Sequence, residues 1–322
     1  LILFFHLFFD LIHFFVYFVE FFYLTLYIML PKKIHLTCKN KNNINNNIWI
    51  KCLERYKVLY PDYEIIIYDN NDIYNIIEKH YPQYLQKIKQ IKIGAVLADI
   101  FRMLIMYLEG GIYSDMDCEP LKNIDDLFTA TKYHGDSNNI FNIVPTQIKG
   151  KPVKINDNRW TYYTNPCANS VVLKNHMNMS YACKCLGHNI RNDTKTILCY
   201  ELSKDWHLTE NILNNTDITY KNILVCQWFI VSFPGQKIFL DCFNKIMLNL
   251  NTLINVKKDN PNYHNIIINN SGPVIFTKSV IDNMDDSICI LPSDFFCSGS
   301  WNGIVPITKN SYVKHHFTAS WH

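Results

Sequence analysis

The sequence predicts an α/β domain on a mostly parallel sheet, and two stretches carry that prediction. From residue 31 to Ile124, strand-like and helix-like segments alternate, the order that builds a Rossmann-like sheet flanked by helices. Inside that run, residues 93–121 give a long apolar helix, a Gly-Gly break and a strand with paired aspartates. The 322 residues, 48% of them hydrophobic, suffice for one large domain or two small ones with a real core. A net charge of +3 without a basic stripe argues against nucleic acid as a partner. Eleven cysteines, with no Cys-x-x-Cys and with Cys183-x-Cys185 the tightest spacing, argue against structural zinc. Whether those thiols are buried or paired is open at this level.

Residues 1–30 are intensely apolar and long enough to span a bilayer. Their polar exceptions, His6, Asp10, His13, Tyr17 and Glu20, recur every three or four residues as one stripe of a helix. Between residues 11 and 30, roughly a dozen apolar side chains at about −0.4 kcal/mol each outweigh one Glu at about +3 kcal/mol. A signal-anchor helix attached to a membrane is expected. Lys32 and Lys33 follow it directly, and that charge asymmetry favours a cytoplasmic domain. Residues 31–37 read as a first strand, 39–47 as a polar loop and 49–60 as a helix ending before Pro61. Glu64 to Tyr68 is a β-branched strand with residues 69–71 as its terminal turn. Ligands of such sheets bind at the carboxyl ends of the strands, where Asp69 and Asp115 both fall. Residues 131–221 fit no pattern and read as an insertion, a candidate for the acceptor side.

The stretch from Ala95 to Leu108 is too apolar on all faces for a surface helix, so a buried one is expected. Its two charges, Asp99 and Arg102, are three apart and share a face. Gly110-Gly111 supplies a left-handed stop. From Ile112 to Glu119 an extended chain places Tyr113, Asp115, Asp117 and Glu119 on one side. Asp115 and Asp117 then lie about 6.6 Å apart at ~3.3 Å rise per residue, until Pro120 ends the strand. Two adjacent carboxylates repel unless a cation joins them, and hard oxygen donors suit Mg²⁺ or Mn²⁺ with phosphate oxygens completing the shell.

The whole block resembles the DXD-containing sugar-binding region of glycosyltransferase family 32, which includes inositol-phosphoceramide mannosyltransferases. It is also similar to the α-1,4-galactosyltransferases. Asp99, Arg102, Gly110, Gly111, Tyr113, Asp115 and Asp117 match the family pattern, and Ala98 stands for its small Ser. Pro31, Lys32, Ile34 and His35 match an opening P-K-x-I-H motif, in which Leu36 and Cys38 replace the usual Gln and Trp. The stretch 227–246 resembles the W-F-I-x-S-x-P-G segment, with Gln236-Lys237 in place of His-Pro, and Ser271-Gly272-Pro273 resembles a T-G-P turn. His315-His316 through Ser320-Trp321 resembles the terminal H-H-x-x-x-S-W.

The resemblance implies a GT-A fold and a metal-dependent retaining transfer of a hexose, mannose or galactose, from a nucleotide sugar to a glycan or glycolipid. GDP-mannose and UDP-galactose are the leading donors. Catalysis falls to Asp99, Arg102, Asp115 and Asp117. Donor binding falls to His35, Asp69, Asp99, Arg102, Tyr113, Asp115, Ser320 and Trp321. A Mn²⁺ or Mg²⁺ ion would be held by Asp115, Asp117 and His316, with Phe317 and Trp321 docking the tail. A Golgi or other endomembrane location goes with the anchor. Two rivals stay open: a catalytically silent glycan- or nucleotide-binding protein, and a haloacid-dehalogenase-like phosphatase using Asp115-x-Asp117 with Asp285-Asp286.

Overall fold

The computed structural model describes residues 30–127, 153–156, 159–161, 194–201, 224–285, 287–291, 295–299 and 307–318. The expected anchor helix at 1–30 and most of the stretch 131–221 lie outside them. No helix among the described residues is long and apolar enough to cross a membrane.

The chain opens with β1 (Lys33–Thr37), then α1 (Asn47–Leu59), β2 (Glu64–Tyr68), α2 (Asn70–His80) and α3 (Pro82–Ile88). The buried helix is α4 (Gly94–Leu108), followed by β3 (Gly111–Asp115) and β4 (Cys118–Pro120). A short antiparallel pair, β5 (Val153–Asn156) and β6 (Arg159–Thr161), precedes β7 (Thr196–Glu201), β8 (Leu224–Val225) and β9 (Phe229–Ser232). Four helices follow, α5 (Lys237–Leu248), α6 (Leu250–Asn255), α7 (Tyr263–Asn270) and α8 (Pro273–Asp282). Strands β10 (Ile288–Leu291) and β11 (Val313–His315) close the chain.

The central sheet runs β10-β7-β9-β3-β1-β2, with β8 paired to β7. β10, β7, β3, β1 and β2 all point one way, and β9 is reversed between β7 and β3. The fold is therefore mixed α/β on a mostly parallel sheet, as expected. The strand β7 lies inside the interval read as an insertion, so that part of it belongs to the frame of the domain.

Local chemistry explains the elements. Asn46 caps α1 by accepting from the amides of Ile48 and Trp49. Asp69 ends β2 and caps α2 in a reciprocal capping box with Asp72. In α4 the residues Val96, Leu97 and Ile100 through Met106 are buried, Arg102 among them, and the helix packs on α5. Gly110 takes φ +64°, and a Cβ there would lie 2.5 Å from Pro234 N and 2.6 Å from Ser232 O. Both the backbone angle and the close approach require glycine.

The structure corrects one reading of the block. Residues 112–119 are not a single strand: β3 stops at Asp115, Met116 and Asp117 turn, and β4 pairs with β11 in a separate two-stranded sheet. Asp115 and Asp117 consequently leave the shared strand face that alternation predicts. The tail is also more than a docked end, since Val313 is fully buried and β11 completes β4.

Candidate active site

The site lies where β1, β2 and β3 end. The reversed β9 begins at this same edge, and Asp115 N donates to Trp228 O at 2.9 Å. Residues 226–228 thus reach the site from the middle of the chain.

One half of the site is a buried polar cluster on α4 and β3. Arg102 and Asp99 are each 4% exposed, and Arg102 Nη1 donates to Asp99 Oδ1 at 2.6 Å. Arg102 Nη2 donates to Asp115 Oδ1 at 3.1 Å and to Tyr113 Oη at 3.2 Å. Tyr113 Oη donates to Asp115 Oδ1 at 2.9 Å, so its 3.1 Å contact with Thr37 Oγ1 is one it accepts. The guanidinium also sits 4.5 Å from the centre of the Tyr113 ring. Two residues from far along the chain complete the cluster: Gln227 Nε2 donates to Asp99 Oδ1 at 3.0 Å, and Ser271 Oγ to Asp99 Oδ2 at 2.9 Å. Burial pushes the Asp99 carboxyl up, Arg102 and Ser271 pull it back, and the balance is about 6. Within this cluster Arg102 Nε and Gln227 Oε1 are buried without a hydrogen-bond partner. Such atoms cost ~1–3 kcal/mol each unless a ligand satisfies them.

The other half surrounds Asp117. Its Oδ1 lies 3.1 Å from His315 Nε2, and its Oδ2 accepts from Thr318 N at 2.8 Å and Thr318 Oγ1 at 2.9 Å. Burial would raise this carboxyl, but His315 and Thr318 together hold it down at about 2. The His315 ring is tilted against Trp228 and Phe317, at centroid distances of 4.7 and 3.8 Å. Phe317 is left-handed at φ 49°, strained for a side chain of its size. Its neighbours explain the strain: His316 N donates to Asp117 O at 3.0 Å while Thr318 N bonds the Asp117 carboxylate.

These residues fit a divalent cation. Among the described residues, Asp117, Cys118 and His315 form the group whose ligand atoms lie within 4.8 Å of one another. Adjacent ligands of an octahedral ion at ~2.1 Å stand ~3.0 Å apart, close to the 3.1 Å between Asp117 Oδ1 and His315 Nε2. A carboxylate oxygen with an imidazole nitrogen suits Mn²⁺. Cys118 is turned away, its thiol directed to Trp228 O at 3.6 Å. Asp115 Oδ1 is taken by Arg102 and Tyr113, so any cation contact from Asp115 falls to Oδ2.

Two expected assignments change. His316 is not on Asp117; its Nε2 meets Glu119 Oε2 at 2.8 Å, and Glu119 also pairs with Lys51 at 3.1 Å. Glu119 lies opposite Lys314 in the ladder and so shares a face with His316, whereas the turn at Met116–Asp117 takes Asp117 out of that alternation and brings it to His315. His35 is not at a donor surface either. It is fully buried, its Nε2 donates to Gly110 O at 2.9 Å, and its Nδ1 accepts from Tyr68 Oη at 3.0 Å. Burial lowers the imidazole to about 4, so it is a neutral strut between β1, β2 and the glycine turn. Asp69 Oδ1 is committed to its cap. Ser320 and Trp321 lie outside the described residues.

Sequence reasoning missed Gln227, Ser271, Thr318 and the contact of His315 with Asp117. Gln227 and Ser271 each open a stretch quoted above for its resemblance, the one signal that could have flagged them.

Comparisons with known proteins converge on this region. Residues 46–134 match the family described as "Glycosyltransferase sugar-binding region containing DXD motif". A mannosyl phosphorylinositol ceramide synthase of Saccharomyces cerevisiae is 32% identical over 123 residues, 36% of this chain and 32% of its own. An inositol phosphoceramide mannosyltransferase of Schizosaccharomyces pombe is 30% identical over 129 residues, 38% of this chain and 35% of its own. An uncharacterized glycosyltransferase of Acanthamoeba polyphaga mimivirus is 36% identical over 93 residues, 27% of this chain and 37% of its own. The alignments span about a third of the length of these relatives.

Proposed function

We propose that the chain is a metal-dependent retaining hexosyltransferase, a reading supported by the match of residues 46–134 to the glycosyltransferase sugar-binding region. In this reading it moves mannose, with galactose second, from a nucleotide sugar to a glycolipid. The observation that supports it best is the buried cluster of Asp99, Arg102, Asp115 and Gln227. Asp115, whose side chain is 31% exposed, opens this otherwise buried cluster to the hydroxyls of a bound sugar. The names of the yeast relatives support mannose as the sugar and an inositol phosphoceramide as the acceptor.

In this reading Arg102 and Asp99 clamp the sugar, and Asp115 orients the donor beside it. Asp117 and His315 would hold the cation. A bound Mn²⁺ or Mg²⁺ supplies a Lewis acid for the departing diphosphate. The bond between the anomeric carbon and the diphosphate breaks as the acceptor hydroxyl attacks the same face, its proton passing to the leaving phosphate. Trp228 and Phe317 exclude water around His315. An endomembrane location with residues 1–30 as anchor accords with a lipid acceptor, and extraction of the full chain by carbonate would refute that part.

The test is transfer by the full chain from GDP-mannose or UDP-galactose to inositol phosphoceramide, read by mass spectrometry with and without EDTA. One added hexose from GDP-mannose, lost in EDTA, is expected. Full transfer in EDTA refutes the metal, and donor binding without transfer or hydrolysis identifies the silent binding protein instead.

A further inference from the structure

Behind the site lies a group of thiols that the glycosyl transfer does not use. Cys226 N donates to Cys199 O at 2.8 Å, which sets these residues opposite each other where β7 meets the approach to β9. Cys297, from the loop before β11, enters beside both. Its Sγ is 3.7 Å from Cys199 Sγ, and Cys226 forms a thiol hydrogen bond with it. All three are buried. Sulfurs 3.7 Å apart need to close by under 2 Å to reach the ~2.05 Å of a disulfide. A metal is the poorer reading, because this trio lacks the mutual spacing that Asp117, Cys118 and His315 show.

We propose that Cys199 and Cys297 form a reversible disulfide and that this bond fixes the wall behind His315. The residues flanking Cys297 explain the consequence. Phe296 O accepts from Trp228 Nε1 at 3.2 Å, and Ser298 O accepts from His315 N at 2.8 Å. The Trp228 ring and the His315 backbone are therefore each tied to a residue beside Cys297. The reaction with glutathione disulfide balances as two protein thiols giving one protein disulfide and two glutathione thiols. When local opening exposes Cys297, its thiolate attacks glutathione disulfide and releases one glutathione thiol, and the Cys199 thiolate then displaces the second. Burial raises the Cys226 and Cys297 thiols, so the exchange is slow at neutral pH and quickens as pH rises.

The test treats the folded full chain with glutathione disulfide and maps non-reduced peptides. The expected result is loss of two thiols, a Cys199–Cys297 peptide pair that dithiothreitol reverses, and slower amide exchange at His315. Cys226→Ser should still form the pair, and Cys297→Ser should not lose Cys199 to any intramolecular bond. No linkage in the folded chain under conditions that link the urea-unfolded one would overturn the proposal. Linkage of Cys297 to Cys226 in place of Cys199, or unchanged exchange at His315, would overturn it too.

Discussion

Replacing His315 by Gln should separate the two tail histidines. The Gln amide can still donate to Asp117 Oδ1, so the 3.1 Å contact and the β4–β11 ladder have a substitute and the fold should persist. What it cannot supply is an imidazole lone pair. Loss of a residue that merely supports a ligand costs ~10–100-fold in metal affinity, so loss of a ligand itself should reach at least ~100-fold, or about 2.7 kcal/mol. His316→Ala breaks a different bond. Glu119 keeps Lys51 at 3.1 Å, and a pair replaced in this way is worth ~0–1 kcal/mol, a change under about fivefold. The assay is Mn²⁺ titration of the unliganded proteins, following unbound Mn²⁺ by paramagnetic resonance, with circular dichroism to confirm folding. An affinity loss in His316→Ala equal to or larger than that in His315→Gln refutes the assignment of the cation to His315.

Arg102→Ala, corrected for the folded fraction, should lower kcat/KM by more than ~100-fold; a fall under about fivefold would make the Asp99–Arg102 pair structural. His35 should make the fold sensitive to acid. Its folded value of about 4 lies below the ~6.5 of an unfolded imidazole, so the unfolded chain binds the proton first. The stability carried by neutral His35, about 3 kcal/mol, is present above pH ~6.5 and is lost as pH falls toward 4. Urea melts at several pH values should show that slope shrinking in His35→Gln, and an unchanged slope defeats the reading. Gly110→Ala should cost more than ~3 kcal/mol, because its Cβ meets backbone atoms of Pro234 and Ser232 at a left-handed φ; a loss below ~1 kcal/mol contradicts the geometry. Deleting residues 311–322 removes β11 and should unfold the region around β4, whereas deleting 319–322 should leave a folded chain; equal melting temperatures for the two would refute a structural tail.

Local pattern made the frame legible. An apolar run with two charges located α4 within one residue of its ends, and Glu64–Tyr68 was readable from its β-branched residues. The Asp99–Arg102 pair needed only helical spacing. Less was readable where the chain folds back on itself. Gln227 and Ser271 reach Asp99 across 128 and 172 residues, and Thr318 reaches Asp117 across 201, distances over which periodicity carries no information. Alternation failed at Met116–Asp117 because a turn there depends on β11 pairing with β4, a partner 193 or more residues away by register (Val313 against Pro120). The choice between His315 and His316 depended on the same turn, which takes Asp117 out of the ladder's alternation.

The reversed strand β9 ties together properties that an enzyme would otherwise vary separately. Its entry delivers Gln227 to Asp99 and the very next residue, Trp228, to His315. One peptide unit thus spans the proposed sugar clamp and the proposed cation corner, and a tilt of that unit disturbs both. Substitutions in residues 226–228 should therefore be strongly epistatic with changes at either Asp99 or His315. A lineage that retuned its sugar preference through this loop would carry its ion preference along.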